Sequence, residues 1–364
     1  MTTKKDKDIA PQAGASRAGP TLATIATELG VSRATVSNAY NHPDQLSPAL
    51  RRKVLDTARR LGYPGPNPLA ATLSRGRVGA LGLVFDDPLS FAVTDPAEVL
   101  FLQGVSEACE RAGLGLVLVP AGPGHDLVRT ALVDGFICHC DLIDDDRLAA
   151  IAARGLPLVI VDGPSRPGCP QVGIDDRGAA RAAAAHLLDL GHRRIAVLTT
   201  PMRPDRYEGR AGAARQAAAR YYVARQRLRG YAEACQAAGL DWAHVPVEER
   251  WPYGLDAGKR AAGALLQAAD PPTALLAMSD EYALGALQAA AEHGVSVPAE
   301  LSVVGFDDTP TASRAYPPLT TVRQPHREKG LLAVDQLLRP PGRPARTVLP
   351  AELIIRASTA PPPP

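Results

Sequence analysis

The sequence predicts an all-α head joined to an α/β body, and three observations carry that prediction. Over residues 21–63, apolar residues recur at helical spacing in three short runs, each opened by a hydroxyl-bearing residue suited to capping. From Val78 onward, short apolar runs alternate with amphipathic helical ones, the pattern of parallel strands whose crossover helices cover both faces of a sheet. Charge divides at the same place: residues 1–77 hold 12 Lys and Arg against 5 Asp and Glu, whereas the rest hold 28 against 33. A basic head on a mildly acidic body suggests a nucleic-acid-binding module attached to a module that binds something else.

Residues 1–20, rich in Lys, Ala, Gly and Pro without periodic apolar positions, read as a disordered tail. Thr21 then opens a helix with Leu22, Ile25, Ala26 and Leu29 on one stripe and Gly30 as its stop. After Val31, Ser32 caps a second helix over 33–40 that buries Val36 and Tyr40 and turns Arg33, Ala34, Ser37 and Asn38 outward. Ser47 and Pro48 open a third helix, with Leu50, Val54, Ala58 and Leu61 in register and Gly62 at its end. Residues 64–77 form a Pro-rich linker and a short hinge helix between Asn67 and Gly76, too short to persist alone.

In the body, strands are expected at 78–85, 114–119, 133–138, 158–161, 195–199, 274–278 and 301–305. Helices are expected at 99–112, 147–154, 177–190, 225–238, 258–268 and 283–293. About ten strands in all imply two parallel sheets.

Composition narrows the function. Hydrophobic residues make up 46% but aromatic ones only 4%, so the cores are built from Ala, Leu and Val. No apolar run reaches the roughly eighteen residues that cross a bilayer, and the lysines near the N-terminus precede no apolar segment, so neither a membrane span nor secretion is expected. Five scattered cysteines fit a reduced cytoplasm rather than a disulfide scaffold. Cys138-His139-Cys140 offers soft ligands, but alternate strand residues face opposite ways, and neither metal nor cofactor is expected. No phosphate-binding glycine loop or nucleophile elbow is found, and an enzyme is not expected.

Two helices joined by a tight turn suit the major groove, because the first braces the second and leaves its outer side chains to meet base edges. Arg33 can fork onto guanine, Asn38 can pair with adenine or reach a phosphate, and Ala34 can meet a thymine methyl. With Thr35 and Ser37 these form the expected DNA-reading face; the plainer reading makes them solvated residues of a small bundle.

The run TLATIATELGVSRATVSNAYNHPDQLSPALRRKVLDTARRLGYPGPNPLAATLSRGRVGALGLVF resembles the start of a LacI/GalR-family transcriptional regulator. GIDDRGAARAAAAHLLDLGHRRIAVLTT, RLRGYAEACQAAGL, PTALLAMSDEYALGALQAAAEHGVSVPAELSVVGFDDTP and PPLTTVRQP continue the likeness in order almost to the end. The resemblance implies a helix-turn-helix DNA-binding domain (21–63) followed by a periplasmic-binding-protein-like effector domain (78–358) of two Rossmann-like subdomains with three crossovers. The N-subdomain would take about 78–173 and 326–340, the C-subdomain about 174–324 and 347–356, with 359–364 a disordered proline tail. It implies Ala70 and Leu73 of the hinge helix as minor-groove contacts. It also implies a cleft where Ser90, Phe91 and Asp162 on one side face Arg227, Trp251 and Asp280 on the other, with Gln324 and His326 at a crossover. Read alone, Asp162 and Asp280 follow strands, where a carboxylate often caps the next helix, and His326 beside Pro325 is an ordinary hinge residue. The stretch Met202–Ala224 is longer than the family's usual loop and would reshape or cover that cleft.

The function implied is a cytoplasmic repressor that binds double-stranded, pseudo-palindromic operator DNA as a homodimer under control of a small metabolite, most often a sugar. Without apolar heptads at the C-terminus, a tetramer is not expected. The alternative, a transporter's solute-binding protein, shares the two-lobed fold but needs a signal peptide and no DNA-binding head.

Overall fold

Side-chain caps set the boundaries of the head's helices. The computed structural model describes residues 19–66, 76–85, 89–120, 127–139, 146–340 and 345–364, in two units divided between Val78 and Gly79. In the first unit, Thr21 and Thr24 form a reciprocal capping pair at the start of α1 (Leu22–Leu29), which Gly30 ends at φ 66°. Ser32 Oγ accepts from Thr35 N at 3.0 Å to open α2 (Arg33–Asn41). Ser47 and Pro48 open α3 (Pro48–Leu61), which ends at Gly62. Ile25, Ala26, Val36, Ala39, Val54 and Ala58 form the core between them. Ala39 rather than Tyr40 is the inward residue; Tyr40 is half-buried, edge-on to Tyr63 at 6.0 Å. The hinge positions Ala70 and Leu73, and the tail before Gly19, lie outside the described residues.

The second unit carries two sheets. The first contains β1 (Ala80–Phe85), β2 (Gly115–Pro120), β3 (Phe136–His139), β4 (Leu158–Val161) and β5 (Gln171–Ile174). The second contains β6 (Ile195–Thr199), β7 (Gly209–Arg210), β8 (Val247–Glu249), β9 (Ala274–Ala277), β10 (Ser302–Asp307) and β11 (Thr320–Arg323). Two last strands, β12 (Arg346–Leu349) and β13 (Glu352–Ile354), complete one sheet each. The orders are β12-β5-β4-β3-β1-β2, all parallel, and β13-β11-β10-β9-β6-β8-β7, parallel except at its two edges. The chain therefore passes between sheets three times: after β5, after β11 and after β12.

Two expectations need correction. Residues 347–356 do not all belong to the second sheet: Arg346–Leu349 pairs with β5 in the first, and only Glu352–Ile354 pairs with β11 in the second. Strands of three or four residues carry too short an alternation to reveal which sheet they join. Nor is 359–364 a loose tail. Ala360 N donates to Ser302 Oγ at 3.0 Å, Ala360 O lies 2.8 Å from His192 Nε2, and Pro362 packs against Gly191.

The flanking helices are α4 (Pro96–Ala112), α5 (Asp176–Asp189), α6 (Tyr222–Ala237), α7 (Leu255–Leu266), α8 (Asp280–Glu292) and α9 (His326–Leu337). Helix α4 starts at Pro96, earlier than the apolar spacing suggested, because Asp95 accepts from the N–H groups of Ala97 and Glu98, both at 3.0 Å. Helices α4 and α9 touch backbone to backbone: a Cβ at Gly104 would lie 1.9 Å from Arg327 O, and one at Gly330 would lie 2.4 Å from Phe101 O. Gly104→Ala should therefore force the helices apart and cost about 1–3 kcal/mol. Urea unfolding of the variant beside the parent checks this, and equal stabilities would show that the crossing yields freely.

Candidate functional site

A doubly wound sheet opens a crevice where neighbouring strands send their connections to opposite faces, at the carboxyl ends of those strands. The first sheet has this switch between β1 and β3, and the second between β6 and β9. A cavity of about 130 Å³ lies there, walled from both sheets. From the first sheet's side come Phe91 after β1, Asp95 and Glu98 at the head of α4, His139 at the end of β3, and Asp162 after β4. From the second come Thr200 and Pro201 after β6, Arg227 on α6, Tyr253, Met278 and Ser279 after β9, and Asp307 closing β10. Gln324 and His326 stand where the chain returns to the first sheet. Phe91 meets Tyr253 edge-on at 4.8 Å, so an aromatic contact joins the two sides.

A buried ammonium organises the polar floor. Lys329, fully buried on α9, donates from Nζ to Asp162 Oδ2 at 2.7 Å and to Gln324 Oε1 at 2.6 Å. Gln324 Nε2 in turn donates to Asp307 Oδ1 at 2.6 Å. His139 stacks on Phe101 at 4.1 Å, with Nδ1 3.0 Å from Glu98 Oε2 and Nε2 3.6 Å from Asp162 Oδ2. Burial alone would raise the Asp162 pKa, but the Lys329 ammonium, then His139, outweigh it and hold the carboxyl below the usual carboxylate range. Among the described residues no such cation faces Asp95: burial and the charge of Asp307 push its pKa up to about 8. Arg227 spends its guanidinium on Asp176 Oδ1 at 2.9 Å and Met278 O at 2.5 Å, lying 3.6 Å over the Phe306 ring. Asp162 and Asp307 hold positive φ, 49° and 125°, where a side chain is strained and persists only if its surroundings fix it. Asp162 Oδ1 and His326 Nε2, buried on lining residues, have no hydrogen-bond partner among the described residues, and His326 Nε2 lies 3.6 Å from Asp307 Oδ1.

The structure brings together Phe91, Asp162, Arg227, Gln324 and His326 of the expected set. Three others stand elsewhere. Ser90 is exposed, its carbonyl accepting from Thr94 Oγ1. Trp251 lies outside the lining, under the Arg206 guanidinium at 6.0 Å, and Tyr253 supplies the aromatic instead. Asp280, fully buried, accepts from Thr309 N, Thr309 Oγ1 and Thr321 Oγ1, so its carboxylate ties β11 to the loop after β10 rather than facing the cavity. Ser279, not Asp280, caps α8. Sequence reasoning missed Asp95, Glu98, His139, Asp307 and Lys329. The Asp95-Pro96 cap signature and a lysine on the apolar stripe Gly330, Ala333, Val334 and Leu337 were the available signals.

On the head, Arg33 and Ala34 are exposed at the start of α2. Asn38 and Ser37 are half-buried rather than fully outward: Asn38 Nδ2 donates to Gln45 Oε1 at 3.0 Å, and Ser37 Oγ accepts from Asn41 Nδ2 at 3.2 Å. Thr35 is tied to the Ser32 cap, the two hydroxyls 2.9 Å apart.

Lys329→Met would strand the Asp162 carboxylate in the interior and should cost about 3–5 kcal/mol at pH 7. Because the Asp162 pKa is depressed in the folded state, the pair's stabilisation is present above the unfolded pKa of about 4 and is lost as pH falls through the folded value. Without its cation, Asp162 should accept a proton at higher pH, so the variant's deficit should shrink between pH 7 and pH 4. Urea unfolding across that range checks the pair, and a constant deficit would assign the loss to packing instead.

Residues 21–67 match the model of bacterial regulatory proteins of the lacI family, and residues 184–359 match a periplasmic binding protein-like domain. An HTH-type transcriptional regulator of Mycolicibacterium smegmatis is 42% identical over 94% of this chain and 97% of its own length. The structure of a transcriptional regulator CelR–cellobiose complex is 30% identical, with a TM-score of 0.67 over 93% of this chain and 99% of that one. The lac repressor dimer bound to operator and the anti-inducer ONPF is 27% identical, with a TM-score of 0.72 over 94% of this chain and 99% of that one. With a helix-turn-helix head and a periplasmic-binding-like effector domain, the chain belongs to the LacI family of ligand-responsive transcriptional regulators, which are not enzymes.

Proposed function

We propose that the protein is a repressor that binds a two-fold pseudo-palindromic operator as a homodimer, its affinity for DNA set by a neutral sugar held in the cleft. The observation that carries the ligand reading is the cavity's surplus of acceptors. Asp95, Glu98, Asp162 and Asp307 all line it, while Arg227 and Lys329 are already engaged with Asp176 and Asp162. A ligand rich in O–H donors satisfies such a wall, and the Phe91 and Tyr253 rings supply apolar surface for a sugar's C–H faces. An anionic ligand meets Asp162 and Asp307, and among the described lining residues the one arginine or lysine, Arg227, is already engaged with Asp176. The cellobiose in the CelR complex and the operator in the lac repressor complex support both halves of the reading. Two copies of one helix-turn-helix match two half-sites of a palindrome by symmetry.

Thermal unfolding against hexoses, disaccharides and their phosphates tests the cleft. A neutral sugar at a hundredfold its dissociation constant should add about 2.7 kcal/mol, and the corresponding sugar phosphate should add far less. A preference for the phosphate would sink this reading. On the head, Arg33→Ala should weaken operator binding by about 1–3 kcal/mol and relax the preference at one base pair of each half-site. Binding isotherms on operator and random DNA separate the roles, because equal losses on both would make Arg33 a phosphate contact.

A further inference from the structure

The turn between α2 and α3 is tied twice to one residue of α2. His42 N donates to Asn38 O at 2.9 Å, closing the helix, and Asn38 Nδ2 donates to Gln45 Oε1 at 3.0 Å. Gln45 is in turn fixed by the backbone around it. Pro43 opens the short helical turn Pro43–Gln45, Gln45 N donates to His42 O at 3.0 Å, and the next residue, Leu46, packs on the head's core. From the other side, Arg51 Nε of α3 donates to Ala39 O at 3.2 Å, so the backbone beside Asn38 is held as well. Gln45 is exposed and Asn38 half-buried, which places the amide pair at the surface. Ala34, exposed and one helical turn earlier, shares that face of α2. Gln45 is the side-chain partner that the Asn38 amide has among the described residues.

We propose that Gln45 is a positioning residue for DNA reading, which turns the Asn38 amide so that one N–H and Oδ1 meet a single adenine. This rests on the reading of α2 as the helix that enters the major groove. An asparagine amide carries two N–H donors and one acceptor oxygen. Adenine presents its N7 acceptor beside the N6 amino donor, so it takes one N–H and the oxygen together. The bond to Gln45 engages one N–H of Asn38 and leaves that complement. A half-turn of the amide would set Asn38 Oδ1 against Gln45 Oε1, acceptor against acceptor. Held in this way, the amide loses less freedom when it meets a base.

Selection by the full-length protein from duplexes that carry two inverted, randomised half-sites reads the base preferences of parent and variants. The parent should prefer adenine at one position of each half-site, and Asn38→Ala should reduce that preference about tenfold. Gln45→Ala should reduce it at the same position by a similar factor, with the other positions unchanged. Because the two residues act as a unit, Asn38→Ala/Gln45→Ala should lose no more than either single variant. Gln45→Glu keeps an acceptor but adds a negative charge that the DNA backbone repels, so it should weaken binding to every duplex alike and retain the adenine preference. Replacing that adenine with 7-deazaadenine, which lacks the N7 acceptor, should weaken the parent and Gln45→Glu about tenfold and leave Asn38→Ala unaffected. An adenine preference kept in Gln45→Ala but lost in Asn38→Ala overturns the positioning role and leaves Asn38 as the reader. Equal losses on all duplexes in both alanine variants make the pair a phosphate contact and overturn the base reading. A parent that selects no sequence overturns the operator reading, and the role of the pair with it.

Discussion

The ammonium of Lys329 is the point on which the effector unit's architecture turns. An ion of that size loses several kcal/mol on leaving water, and only close partners offset the loss. Its partners come from two places the fold must bring together: Asp162 at the end of β4 in the first sheet, and Gln324 at the end of β11 in the second. Lys329 sits on α9, directly after the chain's return crossing, so the cation bridges the two sheets at the crossing itself. Gln324 passes the constraint on to Asp307, and Asp162 passes it toward His139. The cavity's acceptors are thus held by groups beneath them before any ligand arrives, which lowers the ordering cost of binding.

Much of the fold was legible because its signals are local. Thr21, Ser32 and Ser47 cap the head's helices as their sequence context indicates, and strands such as Leu158–Val161 and Ile195–Thr199 stand where apolar runs placed them. The shortest strands were not legible. β7, β8, β12 and β13 span two to four residues, and their assignment depends on partners far away in sequence.

The site divides along the same line. Arg227, Gln324 and His326 were placed by motif and do line the cavity. Asp280 shows why motif alone misleads: a carboxylate after a strand can face the cavity or turn into the sheet, and the choice depends on Thr309 and Thr321, 29 and 41 residues away. Trp251 and Tyr253 are two residues apart, yet only the second lines the cavity, and the backbone bends at Trp251 and Pro252. Lys329 was invisible for a simpler reason. A lysine in a helix reads as solvated unless its place on the buried stripe is weighed more heavily than its charge.

The acids of the cleft carry a consequence for how its two sides communicate. Asp95 belongs to the helix over the first sheet and Asp307 to a strand of the second, and the charge of Asp307 is one cause of the raised Asp95 pKa. The same charge raises the pKa of Asp280 and Glu281, after burial as the larger cause. The two sides therefore oppose one another across the cleft whenever Asp95 ionises, and the protein meets this by keeping Asp95 protonated through neutral pH.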